Sequence, residues 1–174
     1  MVLPAWFHPR RRRVRGGRGG VVNPRVADVA AIAQVVGSVG MFGAIWIVQL
    51  VHYPLMRFAS GPHFARFETE HRRRISFVVG PLMAVEGVCV LAFFFAPPPG
   101  LPGWLPWAGA VTEAIAVGTT VAVSAPLHQR LNARFDPATL HRLIATNWIR
   151  TLAWSARAGL SIAILVAVLR LTRP

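Results

Sequence analysis

Residues 29–51 read VAAIAQVVGSVGMFGAIWIVQLV, a run without a single charged side chain. A helix of about 20 apolar residues crosses the ~30 Å hydrocarbon core of a bilayer, so this stretch predicts a membrane-spanning helix. Three further segments repeat the pattern. Spans are expected at 27–57, 63–96, 105–134 and 137–171, preceded by a disordered basic tail over 1–25. Together they predict an all-α, integral membrane four-helix up-down bundle occupying 26–174, multi-pass in the cell membrane.

Composition agrees with that reading. The chain is 54% apolar and only 14% charged, and its 19 basic residues are all arginine. A formal charge of +13 would suit a nucleic-acid binder, since basic patches neutralise phosphates. The arginines instead cluster at the chain ends and between apolar stretches, as membrane proteins place them, so no nucleic-acid partner is expected. The lone Cys89 lies within an apolar run, which leaves no intrachain disulfide and no thiol metal motif.

Local signals mark the helix ends. Asn23-Pro24 starts the first helix, His52-Tyr53-Pro54 closes it and Ser60-Gly61-Pro62 turns the chain. Gly37, Gly40 and Gly43 offer close helix contact, and Pro81 predicts a kink in the second helix. The uncharged loop Ala96 to Gly103 is flanked by Trp104 and Trp107, suited to a headgroup interface. Asp136-Pro137 reads as a cap and first position for the fourth helix. Because this proline-rich loop carries no charge, the two short loops opposite it are taken as the cytoplasmic side.

Sliding the chain by 76 residues places His52 on His128, Leu55 on Leu131, Arg66 on Arg142, His71 on Asn147 and Arg74 on Arg150. This predicts a duplicated helical hairpin with a pseudo-two-fold along the membrane normal. At 100° per residue, one face of each helix gathers the polar residues. The predicted faces are Ser38–Met41–Ile45–Gln49–His52, His71–Arg74–Val78–Leu82–Glu86, Glu113–Val117–Val121–Ser124–His128 and Asn147–Thr151–Trp154–Ala158. His63 and His141 fall outside these faces.

Two layers follow. Glu86, Glu113 and Arg157 lie near mid-membrane, where an unpaired charge costs at least ~2.5–3.5 kcal/mol, so Arg157 is expected to pair with Glu86 or Glu113. A structural ion pair and a proton path through Glu86 both fit. Nearer the short loops, His52, His71 and His128 form a candidate ligand set for haem or a transition metal, since imidazole suits iron, copper or zinc. Arg74 and Arg150 repel a bare cation and favour haem propionates or an anionic ligand such as a phenolate, enolate or quinone. Without a cofactor, one histidine acts as general base, with His71, Asn147, Arg150 and Arg74 as the catalytic candidates and the guanidiniums or Asn147 holding an oxyanion. A hydrogen-bonded network that only stabilises the bundle is the structural alternative.

His128 and the stretch Asn147-Trp148-Ile149-Arg150-Thr151, followed by Trp154 and Arg157, resemble the signature of uncharacterised four-helix bacterial membrane proteins. That family is loosely similar to small anthrone-oxygenase-like membrane proteins. The resemblance covers all four helices and implies an oxidoreductase of oxygenase type, acting on an aromatic, quinone-like molecule without an obvious bound cofactor. The rival reading is a non-enzymatic transporter or accessory subunit of a membrane complex, and an oligomer is compatible with either reading.

Overall fold

The computed structural model describes residues 23–59 and 61–172. Residues 1–22, which hold most of the expected basic tail, lie outside the described residues. Four helices are long and apolar enough to cross a membrane, which fits an integral membrane protein. They are α1 (Pro24–Ala59), α2 (Phe64–Phe95), α3 (Trp104–Ala133) and α4 (Pro137–Thr172), and no strand occurs among the described residues. At ~1.5 Å per residue, a helix of 32 residues such as α2 rises about 48 Å. Each span therefore extends beyond the hydrocarbon core, and the polar ends of α2 and α4 carry arginines past it.

The ends form where side chains satisfy the first backbone N–H groups. The Asn23 side chain accepts from Arg25 N–H at 3.0 Å, with Pro24 at the first position. Asp136 accepts from the N–H groups of Thr139 at 2.9 Å and Ala138 at 3.3 Å. The Thr139 bonds, foremost, hold the Asp136 carboxyl below its usual range. Gly61 has φ 118°, a conformation that favours glycine, and its carbonyl accepts Phe64 N–H at 3.1 Å to start α2.

α1 and α3 share an interruption that the sequence reading missed. α1 is α-helical over Pro24–Ile47, π-helical over Val48–His52, a single α turn over Tyr53–Leu55 and 3-10 over Met56–Ala59. α3 is α-helical over Trp104–Thr119, π-helical over Thr120–Ser124 and α-helical again over Ala125–Ala133. In each, a proline stands two residues after the end of the π segment, Pro54 and Pro126. A proline ring collides with the carbonyl of the preceding turn and supplies no N–H, and the wider turn relieves that collision. Val48 to Thr120 and Pro54 to Pro126 are both separations of 72 residues. The shared backbone feature thus lies one turn away from the 76-residue register, and it matches His52 with Ser124 rather than His128. Pro81, by contrast, leaves the helical assignment of α2 unbroken.

Neighbouring helices pack in chain order, α1 on α2, α2 on α3, α3 on α4 and α4 back on α1. Inside, apolar and polar layers alternate along the axis. Ala27, Ala31, Phe93, Leu105, Ile164 and Val168 fill the termini end. Next come Ser38 bonded to Ser161 at 2.6 Å and the Glu86–Arg157 pair. Met41, Ile45, Ala116, Ala153 and Trp154 make the middle apolar layer. Beyond the second polar layer, Met56, Phe64, Leu131 and Leu143 close the short-loop end. Two of the three glycines on α1 serve close contact. A Cβ on Gly37 would meet Glu86 Cγ at 3.0 Å and one on Gly40 would meet Leu82 at 3.0 Å, whereas Gly43 has nothing within 4 Å.

Candidate functional site

The π turns with the residues that follow them, the first turns of α2, and the third and fourth turns of α4 bring the second polar layer together. His128 on α3 is its hub. Its Nδ1 lies 2.6 Å from Glu68 Oε1 and its Nε2 lies 2.9 Å from the Tyr53 hydroxyl. A carboxylate only accepts, so Nδ1–H donates to Glu68, and Nε2 accepts the Tyr53 O–H. Glu68 is fully buried and Tyr53 nearly so. An isolated carboxylate in such a place is very costly, and the imidazole is its compensating partner.

A second chain of hydrogen bonds joins α1, α3 and α4. Asn147 Nδ2 donates to Gln49 Oε1 at 2.8 Å, and Gln49 Nε2 donates to the Ile144 carbonyl at 3.3 Å. Arg150 NH1 donates to Asn147 Oδ1 at 3.0 Å and to Ser124 Oγ at 3.5 Å. Gln49 is thus held by both ends of its amide and fixes the Asn147 side chain, whose Oδ1 in turn aims the guanidinium. Arg150 also lies within electrostatic reach of Tyr53, and its buried Nε has no hydrogen-bond partner.

Both chains border one cavity of about 220 Å³. Its polar wall is Tyr53, His71, His128, Ser124 and Arg150, and its apolar wall includes Met41, Ile45, Ile75 and Val79. For scale, a dry apolar cavity of ~150 Å³ holds benzene. The exposed Ser76 and the half-buried Thr120 lie on its rim, so the cavity reaches the lipid-facing side between α2 and α3.

The remaining candidates divide. His52 and His71 stack at 4.1 Å between ring centroids, and His71 lies 5.6 Å from His128. His71 lines the cavity, and with His52, Phe67, Glu70 and Arg74 it also lines an outer groove. Arg74 does not join the layer. It is largely exposed and pairs with Glu70 at 3.1 Å, as Arg73 does at 2.9 Å. The reason is angular, because at 100° per residue Glu68 and Ile75 lie about 60° and 40° to one side of His71 and Arg74 about 60° to the other. The inner face of α2 follows the first pair.

The three imidazoles fit a shared ligand set poorly in this arrangement. Both ring nitrogens of His128 are engaged by Glu68 and Tyr53, and stacked rings direct their in-plane lone pairs side by side rather than at one point. Among the described residues no group of three or more His, Cys, Asp or Glu is arranged to hold a metal ion. Glu68 and Tyr53 were not among the sequence candidates for the site. The available signal was Glu68 at three residues before His71, which places both on neighbouring positions of one helical face.

In the mid-membrane layer Arg157 takes the expected partner. Its Nε and NH2 lie 3.0 and 2.9 Å from Glu86 Oε2, and Glu113 Oε2 lies 4.0 Å from Nε. Glu86 and Arg157 are fully buried. Gly109 makes room for them, since a Cβ there would meet Arg157 NH1 at 3.1 Å.

Comparison of the chain with models of known protein families, with curated proteins and with solved structures finds no match.

Proposed function

We propose that the second polar layer is a proton-abstraction site for a small, lipophilic phenol or enol that reaches it from the bilayer, and that the resulting anion is then oxidised. The observation that carries this reading is the Glu68–His128–Tyr53 chain on the wall of a cavity that Arg150 also borders. In the proposed step the ligand's acidic proton passes to the Tyr53 oxygen while the Tyr53 hydroxyl proton moves to His128 Nε2. Glu68 stabilises the imidazolium, and Arg150 stabilises the ligand's oxyanion. A hydroquinone monoanion then passes two electrons and its second proton to dioxygen and the imidazolium returns the first proton, giving quinone and hydrogen peroxide. An anthrone anion adds dioxygen at carbon, takes the proton back and loses water to give anthraquinone, the route that the resemblance to anthrone-oxygenase-like proteins implies. No bound cofactor takes part in this route. The absence of charge from the proline-rich loop Ala96 to Gly103 supports placing the short loops opposite it on the cytoplasmic side of the cell membrane.

The test uses purified protein in detergent with anthrone and with a naphthohydroquinone as probes. Two signals are followed, exchange of the acidic C–H of anthrone with deuterated solvent under argon and dioxygen uptake in air with either probe. Exchange and uptake that both fall in His128→Asn and Tyr53→Phe support the proposal. Metal analysis and an optical spectrum of the same samples complete it. Stoichiometric iron, copper or zinc, or a haem band, lost in His52→Ala or His128→Ala, replaces it with the cofactor reading. Probe binding with neither exchange nor uptake favours the non-enzymatic transporter or accessory-subunit reading.

A further inference from the structure

We infer that the bundle holds an anionic phospholipid in the groove between α3 and α4, with the phosphate between Arg130 and Arg142. The groove encloses about 130 Å³ and is lined by Ala122, Val123, Pro126, Leu127, Arg130 and Arg142. The four apolar lining residues all belong to the membrane span Trp104–Ala133, and an acyl chain lying there would meet the exposed Ala122 and the half-buried Val123 and Pro126, with the buried Leu127 behind them. Arg130 ends the same wall within the last turn of α3, and Arg142 faces it from the start of α4; both are exposed. No carboxylate lines the groove. An aliphatic trough leading to two guanidiniums is complementary to a molecule with a hydrocarbon chain and a phosphodiester. Guanidinium is the side-chain group best matched to phosphate oxygens.

The groove also coincides with the π turn Thr120–Ser124 and Pro126. There α3 departs from a regular cylinder, and the departure gives the groove its place. A second arginine-bearing cavity, lined by Thr69, Arg72, Arg73, Ser76 and Asn132, has no aliphatic wall. It accepts a headgroup or free phosphate but gives a chain nothing to lie on. The aliphatic wall is what commits the Arg130–Arg142 groove to a lipid.

The charge around this end is lopsided in the same sense. Arg57, Arg66, Arg130, Arg134 and Arg142 are exposed there, with Glu70 already engaged by Arg73 and Arg74. General attraction of the whole end for an anionic surface is therefore expected, and the test separates it from a built site.

The full chain is purified in detergent, and native mass spectrometry and thermal unfolding are followed with dioleoyl phosphatidylglycerol, dioleoyl phosphatidylcholine or inorganic phosphate added. The expected result is retention of phosphatidylglycerol and a raised Tm, with little effect of the other two. The double variant Arg130→Gln/Arg142→Gln weakens retention roughly tenfold or more. The double variant Arg66→Gln/Arg134→Gln removes the same charge off the groove and leaves retention nearly intact. Should the first variant be poorly folded, Ala122→Leu fills the aliphatic wall without changing charge and also weakens retention. Equal loss in both double variants, an equal effect of phosphate, or equal retention of phosphatidylcholine overturns the site.

Discussion

Glu68 on α2 and His128 on α3, 60 residues apart in sequence, meet at 2.6 Å with Glu68 wholly buried. The pair fixes which imidazole nitrogen is left to accept from Tyr53 at 2.9 Å. Glu68→Gln keeps an amide oxygen as acceptor but removes the negative charge that stabilises the imidazolium. With anthrone as probe, the expected result is a fall in kcat of roughly 10²-fold or more, with KM little changed. Glu68→Asp should restore part of the rate. A Glu68→Gln protein with unchanged kcat removes Glu68 from the relay.

Arg157 and its carboxylates give a stability test that is independent of activity. Removing one partner of a buried ion pair leaves the other charge uncompensated, at a cost of ~3–5 kcal/mol. Arg157→Gln and Glu86→Gln are therefore expected to lower unfolding stability in detergent strongly. Glu113→Gln should cost much less, because Glu113 stands at 4.0 Å while Glu86 takes the direct bonds. A Glu113 variant that is the least stable of the three would reverse that assignment.

The glycines provide a graded series. Gly37→Ala and Gly109→Ala place a methyl at 3.0 Å from Glu86 Cγ and 3.1 Å from Arg157 NH1. Both disturb the same ion pair, and about 1–3 kcal/mol of destabilisation is expected from such overpacking. Gly43→Ala meets nothing within 4 Å and should be neutral or slightly stabilising. Thermal unfolding of the three variants side by side checks the order.

Asp136 sets a pH dependence outside the spans. Its carboxyl is held below the usual range by the Thr139 bonds, so the folded state binds a proton less readily than the unfolded chain. The contribution is fully present above the unfolded carboxyl pKa of about 3.9 and is lost as pH falls through the lower folded value. The Tm gap between the wild-type chain and Asp136→Ala should therefore be visible at pH 7 and close on acidification below pH 4. A gap that widens in acid contradicts the capping role.

The spans were legible because length, apolar runs and capping residues such as Asn23 and Asp136 act locally. The inner faces of α1 and α4 were legible for the same reason, and Gln49, Asn147, Thr151 and Trp154 are buried as expected. On α2, Glu68 and Arg74 lie about 60° to either side of His71, and the 76-residue match of Arg74 with Arg150 favoured the arginine, whereas the neighbouring helices select Glu68. A glutamate amid arginines resembles a solvated residue until His128 arrives from another helix. The two π turns match at 72 residues rather than at the 76 of the histidine register, and the prolines that follow them, Pro54 and Pro126, were the signal the sequence carried for it.

The middle apolar layer has an electrical consequence. Met41, Ile45, Ala116, Ala153 and Trp154 separate the Arg157 charges from the Glu68–His128–Tyr53 chain. On the proposed function, protons taken up by His128 would enter and leave by the short-loop end, because this apolar layer stands between His128 and the Arg157 charges. Turnover at such a site moves no net charge across the bilayer, so its rate should be indifferent to membrane potential.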